Sequence, residues 1–321
     1  MLRYYSLRRH LHEVFGEPVA KICVDAGFTC PNRDGTKGYG GCIYCNDRGS
    51  GAPYIKKQLS WEEQFEQSTR IIEKRNPVSK FIIYFQAFSN TYAPVDYLKK
   101  LYKTALGKKG VVGLSIGTRP DCASPEILDL IAELSKKTYL WLEYGAESIH
   151  EKTLQLVNRQ HTFQDFLDAY WAAKDRGIRM CVHIVNGLPG ESVDDILLTA
   201  KTIGQLEPDG IKMHSLYIER GTSLYNLYRK NPWRLFTEGE YSEIAAHCLE
   251  YMPETTVIHR LTGEAIPERL FAPEWSKNKQ RILKAINDKL CEWNSRQGVK
   301  FERVNKIKHA EGVRLVSSVI C

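Results

Sequence analysis

From about residue 19 to about residue 230, short runs rich in Val, Ile and aromatic residues alternate with amphipathic helical stretches. This pattern belongs to a parallel sheet built from strand-helix units, because parallel strands need a long crossover and helices supply it. Six strands are expected, at Val19–Val24, Phe81–Phe85, Val111–Ile116, Tyr139–Tyr144, Met180–Val185 and Ile211–Leu216. Several helix starts are legible between them. Ser60 with Glu63 has the spacing of a capping box, as do Thr162 with Asp165 and Ser192 with Asp195, and Ser124 precedes Pro125 at a first helical position. Six units fall short of the eight in a closed barrel, so the expected fold is α/β, a partial (β/α)6 TIM-like barrel with functional groups at the C-terminal strand ends. A basic N-terminal extension over 1–18 and a small α-rich, basic segment over 237–321 flank the core at 19–236. In the last segment a helix is expected near Tyr241 to Tyr251, a short strand near Val257 and a long helix from Trp275.

Directly after the first strand lies Cys30, followed by Gly38-Tyr39-Gly40-Gly41-Cys42-Ile43-Tyr44-Cys45. The spacing is C-x11-C-x2-C in a glycine-rich loop. Three thiolates are the informative number. A structural zinc site is closed by four ligands, and a four-iron cluster that only transfers electrons is held by four cysteines. Three cysteines leave one iron open for a substrate or cofactor. Glycines let such a loop wrap a bulky cluster and turn backbone N–H groups toward its sulfurs. A zinc ribbon completed by a histidine is the alternative, although no second C-x2-C or C-x2-H pair is present. The loop is not a dinucleotide fingerprint, since no G-x-G-x-x-G follows the strand. Cys23, Cys122, Cys181, Cys248, Cys291 and Cys321 are expected to be mostly buried small hydrophobes.

No apolar run approaches the length of a membrane-spanning helix, and Arg3, Arg8 and Arg9 are not followed by a signal-peptide core, so a cytoplasmic protein without membrane contact is expected. Nine scattered cysteines, an odd number, argue against a disulfide scaffold. The charge of +7 is concentrated at the end. From Lys277 onward, eleven basic residues face four acidic ones, which accounts for the whole excess. A polyanion, nucleic acid first, is expected to bind there; a solvated helix face is the plainer alternative.

The three-cysteine loop, with Tyr44 just before the last cysteine, resembles the radical S-adenosylmethionine superfamily. Gly117-Thr118-Arg119-Pro120-Asp121, Leu142-Glu143-Tyr144-Gly145-Ala146-Glu147-Ser148, Val157-Asn158-Arg159-Gln160-His161-Thr162 and Gly187-Leu188-Pro189-Gly190-Glu191 are similar to stretches of the group containing the elongator catalytic subunit and the oxygen-independent coproporphyrinogen oxidases. Phe85-Gln86-Ala87-Phe88-Ser89-Asn90-Thr91 and Val257-Ile258-His259-Arg260-Leu261-Thr262-Gly263 resemble a small bacterial family with the same cysteine spacing, linked to modification of the wobble uridine of transfer RNA.

The resemblance implies a 4Fe-4S cluster on Cys30, Cys42 and Cys45, whose open iron chelates S-adenosylmethionine, and reductive cleavage to a 5'-deoxyadenosyl radical. It implies Tyr44 against the adenine, Gln86 and Ala87 near the amino group, and Arg159 on the carboxylate. Glu147 would lie near the ribose and methionyl group, with Gly187 and Pro189 passing the adenine. Gly117 and His183 depart from the acidic residues common in relatives, so ribose recognition is expected to differ. His183, Lys212 and His214 on strands five and six are expected to touch substrate or move protons, and His259 and Arg260 have a similar standing. The resemblance further implies transfer RNA as substrate and an electron donor such as flavodoxin or ferredoxin. With roughly 90 residues after the likeness ends near residue 230, an elongator-type acetyltransferase domain is not expected. A radical enzyme for a small metabolite, as in porphyrin metabolism, and a non-catalytic iron-sulfur sensor or binding protein remain as alternatives.

Overall fold

In a computed structural model, the structure describes residues 2–49, 51, 52, 54, 55, 58–75, 78–304, 307–309 and 312–314, with side chains to residue 304. The parallel sheet forms as expected and gains a member. Strands β1 (Val19–Val24), β2 (Lys80–Phe85), β3 (Val111–Thr118), β4 (Tyr139–Glu147), β5 (Met180–Asn186) and β6 (Gly210–Ser215) lie side by side in chain order. After the short β7 (Ile218–Glu219), β8 (Val257–Arg260) pairs with β6 and makes the sheet seven-stranded. The expected six-strand barrel is therefore corrected to seven, because the short strand near Val257 supplies a further ladder to an otherwise open edge. β9 (Leu270–Ala272) pairs antiparallel with β7.

The α-helices among the described residues are α1 (Leu7–Phe15), α2 (Trp61–Arg75), α3 (Val95–Leu106), α4 (Pro125–Ser135), α5 (Glu151–Leu156), α6 (Phe163–Asp175), α7 (Val193–Gln205), α8 (Ser223–Lys230), α9 (Glu238–Glu250) and α10 (Lys279–Glu292), and near the C-terminus β10 (Ile307–His309) pairs antiparallel with β11 (Gly312–Arg314). The capping boxes at Thr162 and Ser192 are present, and Ser60 and Glu63 exchange hydrogen bonds as their spacing predicts. Ser124 occupies its cap position but donates its hydroxyl to Glu126 instead of holding a backbone N–H. Helix α10 begins at Lys279 rather than Trp275, because one 3-10 turn over Glu274–Lys277 precedes it.

The two faces of the sheet bury different chemistry. Ile22, Val24, Ile83, Phe85, Leu114, Ile116, Leu142, Val182, Ile184, Ile211 and Met213 point outward into one continuous apolar cluster with the helices. Each such fully buried aliphatic or aromatic side chain contributes about 1.5–3 kcal/mol. The alternate residues point inward, and many are polar: Lys21, Tyr84, Ser115, Glu143, His183 and Lys212. Curvature follows from one contact. Lys21 on β1 and Glu143 on β4 are three strands apart, about 14 Å on a flat sheet, yet Lys21 Nζ lies 2.5 Å from Glu143 Oε1. The sheet is curled into a half-barrel around these groups. Trp141, Cys181 and Val257, with Tyr5, Leu7 and Tyr139 of the N-terminal segment and β4, plug one end of the barrel. The other end carries the cysteine loop.

Candidate functional site

The cysteine loop follows β1, where a parallel half-barrel places its reactive end. It is built by backbone turns. Asn32 O accepts from Gly41 N, Cys42 O accepts from Cys45 N, and Gly40 and Gly41 adopt φ of 77° and 80°, a conformation that favours glycine. Cys30, Cys42 and Cys45 all carry free thiols, and all three line one cavity of about 220 Å³ at the C-terminal strand ends. Asn32 Nδ2 lies 3.8 Å from Cys42 Sγ and Arg159 Nη1 lies 3.5 Å from it. Donors and a fixed positive charge aimed at a sulfur suit a thiolate in a metal cluster better than a neutral thiol. Three soft ligands in a glycine-lined pocket, with the rest of the cavity open beside them, fit a four-iron cluster that keeps one iron accessible.

Arg159 is the centre of the adjoining wall. Its Nη2 donates to Gly145 O at 2.9 Å and lies 3.2 Å from Glu147 Oε1. Burial opposes the charge of Arg159, but Glu147 and Cys42 hold its pKa well above the ordinary value. Burial raises the pKa of Glu147, and Arg159 only partly offsets this. Gly145 makes the arrangement possible: a Cβ there would stand 2.2 Å from Glu147 Oε1 and 2.6 Å from Arg159 Nη2. Arg119 braces the same wall. It clamps Asp121 with two 2.9 Å contacts and donates to Arg159 O at 2.8 Å, while Lys37 of the cysteine loop reaches Asp121 at 2.7 Å. Burial pushes the Asp121 carboxyl up, yet Arg119 and Lys37 hold it far below the usual range.

Deeper in the barrel, Glu143 is fully buried and accepts four groups: Lys21, Ser115, His183 at 2.8 Å, and Lys212. Burial raises its pKa, but Lys21, Lys212 and His183 bring it well below the ordinary value. His183 is lowered to about 4, first by burial and then by Lys212, so the neutral ring donates its Nε2–H to the carboxylate. Lys212 is lowered to about 8 by burial, against the pull of Glu143. Both ammonium groups lie over the Tyr84 ring, at 4.1 Å for Lys21 and 3.9 Å for Lys212. His214 follows on β6, its ring 5.4 Å from that of His183, and burial keeps it neutral.

The structure brings Cys30, Cys42, Cys45, Tyr44, Gln86, Glu147, Arg159, His183, Lys212 and His214 to one cavity, together with Arg260. Three expected contacts lie elsewhere. Ala87 is fully buried behind Gln86, and Gly187 lines a separate small cavity beside Phe236, whose ring would lie 3.3 Å from a Cβ at Gly187. Pro189 is buried and lines neither cavity. Leu188, between them, packs with Tyr44, Val157 and Leu216 and brings this segment toward the cysteine loop. His259 is packed edge-to-face on Trp141 at 4.4 Å, below the cavity. Sequence reasoning assigned no role to Lys21, Ser115 or Glu143. Their signal was a charged or polar residue at an inward position of an apolar strand.

The basic C-terminal segment also changes meaning in three dimensions. Arg281 meets Glu238, Lys289 meets Glu243, Arg296 meets Glu254, Lys300 meets Glu250 and Arg303 meets Glu207. Acids from earlier in the chain thus neutralise a charge that looked unmatched along the sequence. Lys306, Lys308 and Arg314 lie outside the described side chains. Cys122, Cys181 and Cys248 are buried as expected, Cys23 is half-buried and Cys291 is exposed; Cys321 lies outside the described residues. No helix among the described residues is long and apolar enough to cross a membrane.

Comparison with known proteins agrees with this geometry. Residues 30–203 match the radical SAM superfamily and residues 208–292 match the radical SAM C-terminal domain. The Bacillus subtilis (strain 168) protein YtqA is 40% identical over 304 residues, covering 95% of this chain and 94% of its own. The tRNA uridine(34) acetyltransferase of Methanocaldococcus infernus is 28% identical over 163 residues, covering 50% of this chain and 30% of that protein. Among solved structures, archaeal Methanocaldococcus infernus Elp3 with an N-terminal deletion superposes with a TM-score of 0.66 at 19% identity, over 87% of this chain and 64% of that one, and so shares the fold. Members of the matched superfamily bind a 4Fe-4S cluster and S-adenosylmethionine. With its three-cysteine loop, its half-barrel and its matched length, the chain belongs to the radical SAM superfamily.

Proposed function

We propose that this chain modifies transfer RNA in the cytoplasm, at the C5 substituent of a wobble uridine, using radical chemistry. The observation that carries the reading is a single cavity with the three-cysteine loop on one wall and a polar floor of Glu143, His183, Lys212 and His214 on another. A cluster and S-adenosylmethionine bound there would supply a carbon-centred radical that abstracts hydrogen from a C–H bond. Cys30, Cys42 and Cys45 would hold the cluster. Arg159 would pair the carboxylate of S-adenosylmethionine with charge-assisted hydrogen bonds, Glu147 would hold the guanidinium in place, and Tyr44 and Gln86 would line the rest of its site. Lys212, with its pKa lowered to about 8 by burial, and His183, fixed in one tautomer by Glu143, would bind the substrate base or move a proton.

The choice of transfer RNA draws on the relative named as a tRNA uridine(34) acetyltransferase, whose likeness spans half of this chain. Electrons would come from a small donor such as flavodoxin or ferredoxin. Mass spectrometry of transfer RNA nucleosides from a deletion strain tests the reading. Loss of a modified wobble uridine, with build-up of its precursor, is expected and should be restored by the wild-type chain but not by Cys42→Ala. An unchanged nucleoside profile rejects transfer RNA as the substrate.

A further inference from the structure

We infer that α8 and the turn before it form a ledge that holds the phosphates of an RNA strand whose target nucleotide enters the cavity. The inference rests on the transfer RNA reading above and gives it a surface. The C-terminal cations whose side chains are described are matched by acids. Around α8 they are not.

The segment runs directly out of the cavity wall. Leu216, Tyr217 and Glu219 line the cavity, and Leu224 N at the start of α8 donates to Ile43 O of the cysteine loop at 2.8 Å. Arg220, Arg229 and Lys230 are exposed and have no carboxylate partner among the described residues. Most nearby acids are already engaged: Glu219 is buried against Asn46 Nδ2, Asp47 pairs with Arg269 at 2.7 Å, and Glu240 pairs with Arg234. Among the described residues of this region Glu268 stands without a basic partner, against three such cations.

Aromatic rings are interleaved with these charges. Arg220 lies over the Phe271 ring at 5.2 Å and Arg229 near the Tyr225 ring at 6.0 Å, while Tyr228 packs edge-on against Trp233. Cations that follow a backbone and half-buried rings beside them are the chemistry of single-stranded nucleic-acid grooves. An acidic protein would use the charge, but it has no use for a cavity continuous with the ledge. A splayed loop nucleotide does, because a base must leave its stack to reach a buried radical site.

The test uses cluster-reconstituted protein and a labelled anticodon stem-loop, with affinity measured against salt. Each single-strand phosphate contact contributes about 0.7 to the slope of log K against log salt. The variant Arg220→Gln/Arg229→Gln/Lys230→Gln should flatten that line by about two, with iron content and melting temperature unchanged. Arg296→Gln/Lys300→Gln, which removes cations already matched by Glu254 and Glu250, should leave it as in the wild type. A wild-type slope in the triple variant overturns the ledge while leaving the transfer RNA reading standing. Absence of stem-loop binding by the wild type removes that reading and the ledge with it. A triple variant that keeps its RNA slope but is reduced more slowly by flavodoxin assigns the surface to the electron donor and overturns the proposal.

Discussion

Arg159 Nη2 lies 3.2 Å from Glu147 Oε1, and the same guanidinium contacts Gly145 O and Cys42 Sγ. One planar group thus ties the end of β4 to the cysteine loop. A lysine keeps the charge but lacks the fork that reaches three partners at once. Arg159→Lys should therefore weaken S-adenosylmethionine binding to the reconstituted protein about tenfold or more, the equivalent of about 1.4 kcal/mol. Equilibrium binding with matched iron content measures it. Wild-type affinity in the variant removes Arg159 from the cofactor site.

Glu143, fully buried, holds two ammonium groups, that of buried Lys212 and that of half-buried Lys21. Removing a single partner from a buried ion cluster leaves uncompensated charge, at a cost of about 3–5 kcal/mol. Glu143→Leu should lower the melting temperature by roughly 5–15 °C for a chain of this size. Replacing Lys21 and Lys212 by Met in the same chain should restore at least half of the loss, because no charge is then stranded. If the triple variant is no more stable than the single one, the destabilisation arises from packing and not from charge.

His183 gives the fold an acid-side pH dependence. Its pKa is about 4 in the folded chain against 6.5 for the free side chain. Between these values the unfolded state binds more protons, so stability falls as pH drops from about 6.5 to about 4 and is fully present above that window. One proton contributes about 1.4 kcal/mol per pH unit, or about 3 kcal/mol across the window. His183→Gln retains a donor for Glu143 but cannot titrate. Urea unfolding of both proteins from pH 4 to pH 7 reads the difference, in which the other histidines cancel. A gap between the two that does not change with pH contradicts the assignment.

The sheet order was legible because parallel strands backed by helices read as apolar runs, and the outward half of each run was enough to find it. The inward half was the harder part. Lys21 in Val19–Val24 and Glu143 in Tyr139–Glu147 are visible as lone charges, but nothing along the sequence says that they meet, since their partnership depends on the curl of the sheet. The three cysteines that line the cavity were legible as a group because they sit close together in one loop. The C-terminal charge reads differently in three dimensions for the opposite reason. Glu207, Glu238, Glu243, Glu250 and Glu254 lie outside the counted segment, and only folding places them against it. Gly187 and Pro189 do not line the main cavity, which sequence spacing cannot reveal.

Gly145 offers a test that separates the cofactor wall from the cluster. It sits where the β4–β5 register shifts, before Glu147, which has a φ of 67°. A methyl group at Gly145 must displace the Glu147 carboxylate or the Arg159 guanidinium, since both stand within 2.6 Å of its position. The flexible ends of these side chains can yield, so the chain should still fold, at a cost of about 1–3 kcal/mol for the overpacked contact. The cysteine loop needs no such adjustment. Gly145→Ala should therefore reconstitute with wild-type iron and sulfide, yet bind S-adenosylmethionine at least tenfold more weakly, because the fork of Arg159 no longer lies where the carboxylate is met. Gly239→Ala, at a glycine with ordinary φ and open space around it, is the matched control and should change neither quantity. Equal loss of iron and cofactor in Gly145→Ala would show that Arg159 supports the cluster itself through Cys42. Undiminished cofactor affinity would show that the ion pair can be rebuilt around the methyl group and that its present geometry is not what selects the cofactor.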